Sequence, residues 1–157
     1  MRVALLDARR EAPALRLASA GLGRLVAPPA PRVLDTALRA RKLGDGLAGV
    51  PAAWLALRRG GFDLAHAFSV EDALATAAWR GPLVLTITAP PQRSELAARR
   101  GRLSTTLWAL TRADVVLAAD GEVAAGLARW FGVEAGVLAA AKDHEAVYAE
   151  AVARFRC

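Results

Sequence analysis

The chain has 157 residues, 55% hydrophobic and 23% charged, enough to bury one full core and little more, so a single domain over 1–157 is expected. Its formal charge of +6 rests on 21 basic residues, all arginine except Lys42 and Lys142; they are not interleaved with aromatics and show no Cys/His finger spacing, which argues against a nucleic-acid partner. Cys157 is the single cysteine, no apolar run approaches the roughly 20 residues that span a bilayer, and Met1 leads into RVALL and then Asp7, so the chain reads as cytoplasmic, soluble and without intrachain disulfides.

In chain order, MRVALLDA suits a buried first strand. From Pro13 to Arg32 the pattern is ambiguous: Leu15, Leu17, Leu22, Leu25 and Val26 fit a strand or a loop, and Pro28, Pro29 and Pro31 end whatever precedes them. Val33, Leu34, Ala37, Leu38 and Leu43 recur at helical spacing. VPAAWLALRRGG makes a second helix, with Pro51 in its first turn and Gly60 as its stop. A regular alternation follows: strand 62–67, helix 70–79, strand 83–88, a loop with Pro90 and Pro91, helix 94–111, strand 114–119 and helix 121–131, closed by Gly132. A short strand near 135–138 and a helix over 143–155 complete it. Strands alternating with helices predict an α/β domain built on an open parallel sheet flanked by helices.

Several polar residues fall where such sheets bind ligands, at the carboxyl ends of strands beside helix starts. His66 ends the strand 62–67; it is either a packed histidine bonded to nearby backbone or a cleft residue. Ser69 and Asp72 form S-x-x-D, a capping box. Asp120 reads as an N-cap, with ligand contact through the free N–H groups of its helix as the alternative. Trp54, Trp79, Trp108 and Trp130 fall on predicted helices and are mostly assigned to the core. Arg93, Arg99, Arg100, Arg102 and Arg112 gather around the helix 94–111, as a solvated face or as a patch for an anionic partner. His144, beside Asp143 and Glu145, is expected to be exposed. Gly21 and Gly23 lack the third glycine of a dinucleotide fingerprint, and G-x-x-x-x-G-K-[ST] does not occur, so no cofactor is expected. Two histidines without HExxH-type pairing predict no metal site.

Together the segments LALRRGGFDLAHAFSVEDALATAAWRGPLVLTITAPP and TRADVVLAADGEVAAGLARWFGVEAGVL resemble the amino-terminal, acceptor-side domain of family 4 glycosyltransferases of the GT-B fold. That family carries D-h-h-H-A-H (h, apolar), then a strand ending in T-h-H-G, then A-D-x-h-h-A-h-S before a helix. The likeness covers roughly residues 55–138 and implies a Rossmann-like domain, one half of a GT-B fold. It places His66 at the first histidine of H-A-H, Phe68 at the second, and Thr88 at the histidine of T-h-H-G, while Asp120 replaces the capping serine. The acceptor cleft is thereby expected to be lined by His66, Phe68, Ser69, Thr88 and Asp120. The family's glycine-rich loop after the first strand has no counterpart in DARREAPA, and neither its donor domain nor its E-x7-E motif is present in this sequence.

These matches and departures lead to an expectation of an acceptor-side domain that assists glycosyl transfer with a donor-domain partner chain and is not active alone. An acidic membrane surface or an anionic acceptor is the further expected partner, through Arg93, Arg99, Arg100 and Arg102. The alternative is a noncatalytic binding or scaffold protein that kept the fold. The helix 143–155 is expected to pack back on the domain through Val147, Ala151 and Phe155, widened by Tyr148 and Val152.

Overall fold

A computed structural model describes residues 1–7, 12–26, 50–89, 100–137 and 143–156. Its frame is one parallel sheet in the order β2-β1-β3-β4-β5-β6, with β1 Val3–Leu6, β2 Arg24–Leu25, β3 Leu64–Ala67, β4 Leu83–Ile87, β5 Val115–Ala118 and β6 Gly136–Val137. The central strands are buried along almost their whole length, which is why they read as continuous apolar runs: both faces of the sheet are covered.

Each strand deals its side chains alternately to two cores. On one face Ala4, Leu6, Ala65, Ala67, Leu83, Leu85, Val116 and Ala118 meet Leu57, Ala73, Leu110 and Leu127. These come from α2 Val50–Gly60, α3 Val70–Ala73, α4 Arg100–Arg112 and α5 Gly121–Phe131. On the other face Val3, Leu5, Leu64, Val84, Val115 and Leu117 meet Ala14 and Leu17 of α1 Ala12–Ser19, and Val147, Tyr148 and Ala151 of α6 His144–Arg156. The described part of the segment that the sequence left open between strand and loop, up to Val26, is therefore a helix followed by a two-residue edge strand. Leu17 faces the sheet and Leu15 the solvent, while Leu22 and Leu25 are half-buried against the second core. The helix expected from Val33 lies outside the described residues.

Two aspartates fix the starts of the strands. Asp63 Oδ2 accepts the Arg2 N–H at 2.6 Å while the Asp63 N–H donates to the Arg2 carbonyl at 2.8 Å. Asp114 repeats the device between β5 and β4: its Oδ2 accepts the Leu83 N–H at 2.8 Å and its own N–H donates to the Leu83 carbonyl at 2.9 Å. A parallel pair leaves N–H groups unpaired at its amino edge, and a side-chain carboxylate one residue before the neighbouring strand satisfies one of them. Arg112 adds to this clamp, reaching Asp114 at 3.6 Å and donating to the carbonyls of Gly81 at 2.6 Å and Trp79 at 3.2 Å. Grouped by sequence with the arginines around the helix 94–111, as a solvated face or a patch, Arg112 is thus an internal tie.

The helix expected over 70–79 is shorter. After α3 the chain tightens into a 3-10 turn, Leu74–Thr76, in which the Thr76 hydroxyl bonds the Ala73 carbonyl at 2.7 Å. The chain then goes on by the tighter three-residue bonds, with the Ala77 N–H donating to the Leu74 carbonyl at 3.1 Å and the Trp79 N–H to the Thr76 carbonyl at 3.0 Å. Helix α5 matches its predicted span, capped by Asp120 and closed by Gly132 in the left-handed region at φ 66°. Trp54, Trp79 and Trp108 are half-buried against the first core, whereas Trp130 is 47% exposed. Among the described residues no helix is long and apolar enough to cross a membrane.

Candidate functional site at the carboxyl edge of the sheet

Strand order reverses between β1 and β3: the chain steps outward from β1 to β2, then returns to the other side of β1 and proceeds to β6. Crevices at the carboxyl ends of the strands flanking such a reversal are where open α/β sheets hold ligands. Asp7 leaves β1 and Phe68 leaves β3 at this point, and the Phe68 N–H donates to the Leu6 carbonyl at 3.1 Å.

His66 is the centre of the polar groups here, but it is enclosed, at 0% exposure. Its Nε2 lies 2.7 Å from the Thr86 hydroxyl on β4, and its Nδ1 lies 2.9 Å from the Tyr148 hydroxyl on α6. Phe68 stacks on the imidazole, with centroids 4.2 Å apart and planes 25° apart. The Tyr148 ring meets it edge-on at 5.6 Å. His144, one helical turn before Tyr148, closes the group, 5.7 Å from His66 and 6.0 Å from Tyr148 by centroid. Sequence reasoning expected His144 to be exposed; it is half-buried because the first turn of α6 sits on the sheet edge rather than beyond it.

A neutral imidazole carries one donor and one acceptor nitrogen, and a hydroxyl can serve either, so both nitrogens of His66 are satisfied without a charge. Burial, and secondarily the neighbouring His144, hold the His66 pKa well below its usual value of 6.5. Burial likewise pushes the Tyr148 phenol well above 10, so its proton stays in place at neutral pH. In this conformation His66 is a buried hub that ties β3, β4 and α6 together, bonded to side chains and not to the backbone partner that one reading of the sequence supposed. Tyr148 was seen in the sequence only as part of a packing face. Its spacing of four from His144 puts both rings on one side of the helix, and that pairing was the available signal.

The remaining candidates stand apart from this hub. Ser69 caps α3: its Oγ accepts the Asp72 N–H at 3.0 Å and donates to Asp72 Oδ2 at 2.6 Å. Asp120 caps α5 by accepting the Val123 N–H at 2.9 Å, two strands and about 10 Å along the sheet from β3. Thr88 is half-buried just beyond β4. Arg93 and Arg99 lie outside the described residues, Arg100 opens α4, and Arg102 is exposed on it. Gly21 and Gly23 form the turn after α1; Gly21 has φ 75°, and a Cβ at Gly23 would come within 2.8 Å of the Leu5 side chain, so both glycines have structural reasons. Among the described residues no group of three His, Cys, Asp or Glu could hold a metal ion. A groove of about 420 Å³ between β2 and α2 carries Arg24 and Arg59 over Leu25, Val26 and Phe62, remote from His66.

The fold and the polar edge define a single Rossmann-like α/β domain with its polar cluster at the topological switch point. No protein-family model matches the chain, and neither a curated protein nor a solved structure matches it.

Proposed function

We propose that this chain is the acceptor-side domain of a GT-B glycosyltransferase assembly and works with a partner chain that binds the nucleotide-sugar. The observation that carries the reading is the placement of the D-h-h-H-A segment, Asp63 to Ala67: it forms β3 beside the switch point, with His66 at the carboxyl edge. The A-D-x-h-h-A-h segment supports it by forming β5, with Asp114 and Asp63 in matching roles at the strand starts. In this reading Ser69, Thr88 and Asp120 line the acceptor side of the cleft, His66 positions Phe68 and Thr86, and Arg102 favours an anionic acceptor. Transfer needs donor and acceptor held together in reacting geometry, which one side cannot supply.

One observation favours a noncatalytic module instead: both nitrogens of His66 are engaged by protein hydroxyls, so the histidine is not presented to a ligand. The two readings separate by experiment. The pure chain should bind UDP-, GDP- or TDP-sugars no tighter than about millimolar, about −4 kcal/mol, in calorimetric titration. The complex captured from native cells should contain a donor-binding chain and transfer labelled sugar from one of these donors. Micromolar binding by the pure chain, or a captured complex without transfer, overturns the proposal.

A further inference from the structure

Both histidines of the chain, 78 positions apart in sequence, meet at one place: the contact between the first turn of α6 and the carboxyl edge of the sheet. We propose that α6 is an acid-released strap, held on the sheet by the neutral His66–Tyr148 hydrogen bond and let go when His66 takes up a proton. The proposal does not depend on the glycosyltransferase reading.

The geometry sets the direction. A protonated His66 must donate from both nitrogens and bring a full charge into a site with 0% exposure, between Phe68 and the Tyr148 ring. Its two bonded neighbours are the hydroxyls of Thr86 and Tyr148, and neither is an anion. The charged groups around it are few. From α6 they are His144, Asp143 and Glu145 at the helix start, with Glu145 exposed. From β1 there is Asp7, buried where the chain leaves the strand. β4 offers the Thr86 hydroxyl, and β5 offers apolar Val115 and Leu117. His144 adds a like charge when protonated, and the pKa of His66 is lowered by burial first and by His144 second. The sign follows: the docked state binds fewer protons than the released state, so docking is at full strength above about pH 6.5 and weakens as pH falls from there towards the lower pKa of the docked form. Release of α6 uncovers His66, Phe68 and Thr86, the polar floor of the carboxyl edge.

Amide exchange of the full chain from about pH 7.5 to about pH 5, each rate divided by that of the unstructured peptide, tests this. Amides of His144–Arg156 should lose protection by up to about tenfold per pH unit below about pH 6.5, while those of β3 and β4 keep theirs. With labelled imidazoles the chain gives two histidine signals, assigned through His144→Gln, and His66 should protonate over the same range in which α6 loses protection. His66→Gln should leave the protection of α6 flat. Constant α6 protection in the native chain, loss in step with β4, or protonation of His66 while α6 stays protected would each overturn the strap. The paired titration decides even if His66→Gln does not fold.

Discussion

Tyr148 is 1% exposed and spends its hydroxyl on His66 Nδ1, so it is both a large apolar contact and a polar bond from α6 to β3. Tyr148→Phe keeps the ring and removes the partner of a buried nitrogen, which costs about 1–3 kcal/mol when nothing replaces it. Chemical denaturation of the variant should show that loss near pH 7.5, with the slope against denaturant unchanged. At the alkaline end the sign is opposite to that at His66. The folded state holds the phenolic proton more tightly than the unfolded chain does, so stability contributed by Tyr148 is intact below about pH 10 and declines as pH rises further. Since Tyr148 is the single tyrosine, phenolate absorbance follows it directly, and its appearance should coincide with the loss of folded signal. At this scale the sequence identified His66, Ser69 as a cap from its spacing to Asp72, and Asp120 as a cap from its place between an apolar strand and a helix. It did not place Thr86 or Tyr148 against His66, because those contacts span 20 and 82 residues of chain and no local periodicity encodes them.

Helix α6 covers the second core with Val147, Tyr148 and Ala151, while Val152 is half-buried and Phe155 is 42% exposed. The apolar face inferred from four-residue spacing therefore runs out one turn early, and Arg154 at the end of the helix turns back to the Asp114 carbonyl and to Glu150. Each fully buried large side chain contributes on the order of 1.5–3 kcal/mol. Truncation after Lys142 uncovers Val84, Val115 and Leu117 of β4 and β5 as well, so the shortened chain should be insoluble or should unfold at a clearly lower temperature by calorimetry. Phe155→Ala should change the midpoint little, in contrast to Val147→Ala. The strand starts give a second test. Asp114→Ala strips the Leu83 N–H of its acceptor and Arg112 of its carboxylate, and should cost about 1–3 kcal/mol in denaturant unfolding.

Over the whole molecule, a continuous ladder of β1, β3, β4 and β5 is buried from both sides, and the flanking strands β2 and β6 have two residues each. Protection against amide exchange at neutral pH should therefore be greatest in β3 and β4 and least in β2 and β6; equal protection across the sheet would contradict two cores sharing one central ladder. The order of the elements was legible in the sequence from β3 onward. A parallel strand buried on both faces must be an apolar run bounded by breakers, and Asp63, Gly81, Asp114 and Gly132 supply the bounds. By itself the sequence thus determined the α/β class, the alternation of strands and helices, the cap at Asp120 and the presence of a histidine at the carboxyl end of β3. Only the tertiary structure decided that this histidine is sealed, that His144 and Tyr148 are what seal it, and that Arg112 ties the first core instead of joining a surface patch. The reason is physical: strand and helix periods are set by neighbours three or four residues away, whereas the state of His66 is set by an element that reaches it only after the sheet has assembled and α6 has packed across the second face.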